Sequence, residues 1–384
     1  MPCPYETATA KAPDLRTFGP RAISPRCYNA PSGSGRSVPD LCLCAMSAPG
    51  NREGSSSGKK RDWSWLLGVG VSLAALLIAV WGIDVQAFAE AVTRASYLFL
   101  IPAYLLQLVG IASRAKGWNT LLGPEVSYRR AFGAINEGYL LNNILPFRLG
   151  ELARAFLVGH SGIGASRALG SIVVERMMDV SIAVLSIVLT IPLFGPPAWA
   201  TQVAVAVGLG VVFLIVALLL ASRTSATWMR WMERLPASLG RRLTPIAGRF
   251  LHGLEEARKG GRLPRAFGWL LLGWVFAWVQ LAVYFRMFGE TGGLGVAMFS
   301  LGVIALGGAV PSSPGAVGVY ELAGVAALTF LGYPREVSLG VVIAGHLVQY
   351  SLVLLLGGIF LAREGRSVGD LARAARNLVL RPAG

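Results

Sequence analysis

An all-α polytopic membrane protein is the fold class that the sequence predicts, on three observations. Hydrophobic residues make up 54% of the 384-residue chain and charged residues only 14%. The mean hydropathy of +0.57 is more than a soluble core requires. Apolar runs of membrane-spanning length recur, and the basic excess, a net +15, gathers in the short segments between them. That distribution follows the positive-inside rule and attraction to anionic lipid, and it argues against nucleic acid as a partner. The expected architecture is about six full spans plus two oppositely oriented re-entrant helical hairpins, related as an inverted repeat.

Residues 1–62 are expected to be a polar tail outside this fold. The segment 1–45 is rich in Pro, Ser and Gly and holds no apolar run suited to a signal peptide. Met46 is the expected translation start. All the cysteines (Cys3, Cys27, Cys42 and Cys44) fall in that tail, so neither a disulfide nor a metal site is expected to support the fold. "GSSSGKK" (54–60) is one residue short of a P-loop and lacks its Ser or Thr. No cofactor is expected.

The elements follow in order. "WLLGVGVSLAALLIAVWGI" (65–83) is the first span, with Trp63, Trp65 and Trp81 as interface anchors and Lys59, Lys60 and Arg61 marking its cytoplasmic start. A second span is expected over 97–116, closed by Arg114 and Lys116. Further spans are expected over 169–194, 200–221, 266–288 and 337–361. The 222–265 segment carries ten basic and three acidic residues, and the tail after 362 adds five arginines. Both are placed in the cytoplasm, with the membrane domain over 63–362 and a basic tail over 363–384. The uncharged "GPPAWA" (195–200) reads as an outer turn.

These anchors fix a parity. Arg130 and Arg167 lie on the same side, so the chain between them crosses an even number of times. Neither arm of that stretch spans about 30 Å at 1.5 Å per residue, which predicts a hairpin with its tip near Pro146. Residues 296–331 fall under the same logic and fold back at "VPSSPGAVG" (310–318), entering from the opposite face. Helix breaks at membrane depth need polar partners or a cavity. Asn142, Asn143, Pro146 and Gly150 supply the first break; Pro311, Ser312, Ser313, Pro314, Gly315 and Gly318 supply the second.

The charges in and beside these segments are the candidate site. Arg148, Glu151 and Arg154 repeat at i, i+3, i+6, and the two arginines are suited to phosphate. The next span holds Glu175, Arg176 and Asp179, with the carboxylates on one helical face and Arg176 within reach of Asp179. Ionisable groups inside an apolar span face a bundle interior and mark function. Glu321, beside Tyr320 in the second hairpin, calls for a proton or an arginine partner, the latter expected from the first hairpin. His346, Gln349 and Tyr350 share a face of the last span, where His346 is expected to hydrogen-bond rather than carry protons.

"LPFRLGELAR", "SIVVERMMD" and "VPSSPGAVGVYE", in this order, resemble the membrane domain of bacterial lysylphosphatidylglycerol synthases, which also occurs as stand-alone flippase-like proteins. The resemblance covers about 60–362 and implies a flippase for anionic phospholipid or a polyprenyl-phosphate-type lipid in the cell envelope. The synthase's soluble aminoacyl-transferase domain is not matched, so lysyl transfer is not carried over. Membrane lipid with an anionic headgroup is the expected partner, with a second copy of the chain or a lipid-synthesis enzyme as further candidates. The expected location is the cytoplasmic membrane, with both termini inside. The competing readings are a membrane-embedded lipid-modifying or glycosyl transferase, or an accessory scaffold acting through the 222–265 loop.

Overall fold

The first apolar helix, α1 (Trp63–Val80), stops where the chain turns through Gly82, whose φ is +74°. Asp84 then caps α2 (Val85–Arg94), its Oδ1 accepting the Gln86 and Ala87 amides at 2.8 and 3.1 Å. The two helices meet at 85°, and α2 buries none of its residues, as in a helix lying along an interface rather than across it. Their corner is tied to the start of the last long helix: Arg335 donates to the Ile78 carbonyl at 2.8 Å, and the Asp84 amide donates to Glu336 at 3.4 Å.

The structure, a computed structural model, describes residues 63–145, 149–195, 202, 205–210, 212–213, 259–308, 312–370 and 373. These belong to one compact unit, 60–384. They form helices and no strand. The tail 1–62, most of the expected span 200–221, nearly all of the 222–265 segment and most of the C-terminal tail lie outside the described residues.

A short 3-10 turn, Tyr97–Phe99, leads into α3 (Leu100–Leu122). α6 (Ala165–Thr190) runs on into a 3-10 turn at Ile191–Phe194. With α7 (Arg262–Met287) and α10 (Arg335–Arg363), these are the described helical segments long and apolar enough to cross a membrane. The bent pair α1–α2 makes one more if it counts as a single span. One boundary is corrected. α3 does not end at Arg114 and Lys116 but continues to Leu122, where Gly123 at φ +98° closes it. Arg114 belongs to the helix body because its side chain has partners inside the bundle.

Between the long helices lie two pairs of shorter helices. α4 (Tyr128–Ile144) and α5 (Leu149–Val158) pack against each other on either side of residues 146–148. α8 (Leu294–Gly307) and α9 (Val319–Phe330) do so around the 312–318 break. At 1.5 Å per residue, even the 17-residue α4 reaches only about 26 Å.

The apolar core has two main clusters. One joins the end of α3 to α4, α5 and the second half of α10; the other joins the start of α3 to α7, α8, α9 and the first half of α10. α10 is therefore shared. Gly357 approaches the Asn136 carbonyl of α4, while Gly324 of α9 sits against Val342. The Pro314–Ala316 turn of the second pair in turn packs on α4. Small residues set these distances, since helices in lipid associate through close packing rather than through water exclusion. A Cβ on Gly150 would lie 1.9 Å from the Gly138 carbonyl oxygen.

Candidate functional site

Three helices deliver charge to one place. α3 brings Arg114, α5 brings Glu151 and Arg154, and α6 brings Glu175, Arg176 and Asp179. Spacing explains the grouping, because Glu175 and Asp179 at i,i+4 share the face of α6 that meets α3 and α5. Arg114 Nη1 lies 2.5 Å from Asp179 Oδ2 and 3.3 Å from Glu175 Oε1. Arg176 Nη2 sits 2.8 Å from Glu175 and 3.3 Å from Asp179, and its Nε is 3.8 Å from Glu151. Arg154 Nη2 reaches Glu175 Oε2 at 2.6 Å, with its guanidinium 4.1 Å above the Trp118 ring. Trp274 on α7 donates to the other Asp179 oxygen at 3.2 Å.

Three guanidinium groups thus meet three carboxylates, and the formal charges cancel. Burial of such a cluster is tolerated only because each charge has partners. Exposure divides the members. Arg154 and Glu175 have none, whereas Arg114 keeps 22% and Arg176 33% of their side-chain surface.

That remaining surface faces a cavity of about 350 Å³. Its wall includes Arg114 and Arg176 together with Tyr139, Trp274, Tyr320 and Gln349, so it extends from the charged cluster to the start of α9. Its volume falls in the range of small-molecule sites, roughly 300–1,000 Å³. None of the cluster carboxylates belongs to the wall. They lie behind the arginines and hold them in place.

The second break is a separate construction. Ser72 on α1 accepts the Ser313 amide at 2.8 Å. Ser313 Oγ lies within hydrogen-bond reach of the Pro314 and Val317 carbonyls. The Ser312 carbonyl oxygen would lie 3.3 Å from a Cβ on Gly68 of α1. Gly315 and Gly318 take φ of +70° and +89°. A Cβ on Gly318 would meet the Ser72 carbonyl at 2.1 Å, and one on Gly315 would meet the Tyr350 hydroxyl at 1.2 Å. Glu321 accepts the Gly318 amide at 2.6 Å, and its other oxygen bonds His346 Nδ1. His346 Nε2 lies 3.1 Å from the Gly315 carbonyl, and the Tyr320 ring stacks on the imidazole at 4.2 Å.

The expected site residues therefore fall into groups. Glu151, Arg154, Glu175, Arg176 and Asp179 come together. Glu321 does not join them; the arginine expected to meet it is replaced by His346, which reaches it from about three turns into α10. Arg154, expected to grip phosphate, has no exposed surface and is not part of the cavity wall. Asn142 caps α5 by accepting the Gly150 amide at 2.8 Å, and Asn143 Nδ2 is buried without a partner among the described residues. The starts of α5 and α9 are thus occupied by the chain's own Asn142 and Glu321. Pro146, Arg148 and Pro311 lie outside the described residues. The sequence reading missed Arg114, Tyr139 and Trp274.

Long apolar helices around a buried charged cluster and an internal cavity define a multi-pass membrane protein. The chain belongs to the family of the lysylphosphatidylglycerol synthase TM region, whose model matches residues 65–357. It is also similar to a UPF0104 membrane protein of Methanothermobacter thermautotrophicus, at 22% identity over 78% of this chain and 94% of that protein.

Proposed function

We propose that this protein is a flippase-like lipid transporter that passes a phosphate-bearing headgroup through its interior while the acyl or polyprenyl tail stays in lipid. In this reading α4–α5 and α8–α9 are re-entrant hairpins entering from opposite faces, as halves of an inverted repeat. The protein lies in the cytoplasmic membrane with both termini inside, its membrane domain spanning 63–362. The observation that carries the reading is the cavity lined mainly by α3, α7, α8 and α10, whose only charged wall residues among those described are Arg114 and Arg176.

The phosphate lies against these two guanidinium groups, which offer fork-shaped donors to its oxygens. Glu175 and Asp179 keep both arginines aimed at the cavity when no lipid is bound, and Arg154 fixes Glu175. Arg148, with Pro146 and Pro311, belongs to the hairpin tips in this scheme. The passage lowers a barrier by solvating a headgroup and needs no covalent step and no cofactor.

Proteoliposomes carrying fluorescent phospholipids or polyprenyl phosphate, read by quenching of the outer leaflet, test this. The protein is expected to accelerate movement of an anionic lipid, and Arg176→Gln to slow it about tenfold or more with insertion unchanged. Failure to move any labelled phospholipid or polyprenyl phosphate would overturn the reading.

A further inference from the structure

The cavity wall is uneven in its chemistry. Two guanidinium groups line it, and no carboxylate does so among the described residues. Glu175 is fully buried behind the arginines, and Asp179 is held by Arg114, Arg176 and Trp274. The rest of the polar wall is neutral. Tyr139, Tyr320, Gln107 and Gln349 line it, and none of these side chains makes a hydrogen bond among the described residues. Tyr284 also lines it; its hydroxyl accepts from Gln280 at 2.9 Å, which leaves the phenolic proton to donate.

These groups come from separate parts of the fold. They stand on four different elements (α3, α4, α9 and α10, with Tyr284 on α7), and all turn towards the same volume. Hydroxyls and amides that line a cavity without a protein partner are free to hydrogen-bond whatever enters it. A bare phosphate satisfies the arginines and leaves this second set empty. A headgroup bearing an ammonium group places a cation beside two guanidinium groups, with no carboxylate among the described wall residues to receive it. A headgroup bearing uncharged hydroxyls matches both sets of groups, and the tyrosine and tryptophan rings give a polyol flat faces to lie on.

We propose that the cavity takes an anionic phosphate headgroup extended by an uncharged polyol, either a glycerol or a sugar, and rejects one carrying an added ammonium group. The inference rests on the lipid-transport reading and narrows it to a substrate class. It assigns Tyr139, Tyr320, Gln107 and Gln349 to the polyol and Arg114 and Arg176 to the phosphate. It also sets this chain apart from aminoacylated phosphatidylglycerol, whose headgroup carries such an ammonium group.

The test is equilibrium binding to the full-length protein in nanodiscs of phosphatidylcholine, with native mass spectrometry as the readout. The probes are phosphatidylglycerol, a polyprenyl phosphate hexose, phosphatidic acid and lysylphosphatidylglycerol. At least one polyol-bearing anion is expected to bind about tenfold or more above both phosphatidic acid and lysylphosphatidylglycerol, and which of the two does so names the source of the headgroup. Gln349→Leu together with Tyr320→Phe is expected to bring that lipid to within about threefold of phosphatidic acid at unchanged melting temperature. If the double variant does not fold, Gln107→Leu from the opposite wall is used in its place. Lysylphosphatidylglycerol binding as well as the polyol lipids overturns the headgroup inference and leaves lipid transport standing. No anionic lipid binding above phosphatidylcholine overturns both.

Discussion

Glu175 touches three arginines from three helices at once, Arg154 most closely at 2.6 Å, and neither of these two side chains has any exposed surface. The pair is therefore the hub of the charged cluster. Glu175→Gln leaves Arg154 a buried cation without a counter-charge, and the expected loss is about 3–5 kcal/mol. Removing both charges with Arg154→Met and Glu175→Gln is expected to recover at least half of that, because Arg114 and Arg176 keep Asp179 and Glu151. Unfolding of the detergent-solubilised protein in denaturant gives the comparison.

The α4–α5 contact makes a second prediction. Gly150→Ala puts a methyl group 1.9 Å from the Gly138 carbonyl, and Gly138→Ala puts one 2.4 Å from the Arg154 side chain. Backbone cannot yield as a side chain can, so Gly150→Ala is expected to be the worse, at the upper end of about 1–3 kcal/mol for overpacking. Gly138→Ala instead displaces Arg154, and its penalty should shrink in an Arg154→Ala background, which removes the side-chain carbons that the new methyl meets. Equal, additive effects in the two backgrounds would falsify this arrangement.

At the second break, Gly315 meets two constraints. A Cβ there would collide with the Tyr350 hydroxyl, and φ is +70°. Gly315→Ala is expected to destabilise strongly. Adding Tyr350→Ala should remove the collision but keep the backbone penalty of about 1–2 kcal/mol, so the rescue is partial. Complete rescue, measured by melting temperature, would show that the left-handed backbone is not needed.

Glu321 can be separated into its two roles. A glutamine retains an oxygen for the Gly318 amide and offers an N–H to His346, so Glu321→Gln is expected to stay within about 1 kcal/mol of the parent protein. Glu321→Ala loses the cap and the imidazole contact together and is expected to free the 312–318 segment. Hydrogen exchange over that segment distinguishes the two variants.

Outside the spans, Glu125 is held below the usual carboxylate range by its own backbone amide and then by Arg167. A lowered folded-state value means that its contribution is present above the unfolded value and is lost as pH falls through the folded one. Exchange protection in the α3–α4 turn, where Arg167 Nη2 lies 3.4 Å from Glu125, is therefore expected to be constant at neutral pH and to fall in acid. Protection that instead changes between pH 6 and 8 would place another group in control.

The helical class and most long helices were legible because hydropathy and basic flanks report directly on lipid and its surface. Glu175, Arg176 and Asp179 stood out because charge within an apolar run is conspicuous. Arg114 was not, since a charge near the end of an apolar run, followed by Lys116, looks the same whether it flanks a helix or turns inward. The two point in different directions: Arg114 pairs with α6, while Lys116 lies 5.6 Å over the Tyr128 ring. Two residues apart on a helix do not face the same way. The pairing of Glu321 with His346 was illegible for another reason. It depends on how α9 meets α10, and no local spacing records that.

The charged cluster also has a consequence for how the chain is made. Arg114 precedes Glu175 by 61 positions and Asp179 by 65, and Arg154 precedes Glu175 by 21. During synthesis two cations reach the bilayer before the carboxylates that neutralise them exist, at an insertion cost of about 2.5–3.5 kcal/mol for each at mid-depth. A nascent chain arrested before α6 therefore holds Arg114 and Arg154 without the carboxylates that pair with them in the fold. The arrival of α6 is the step at which both arginines gain their partners.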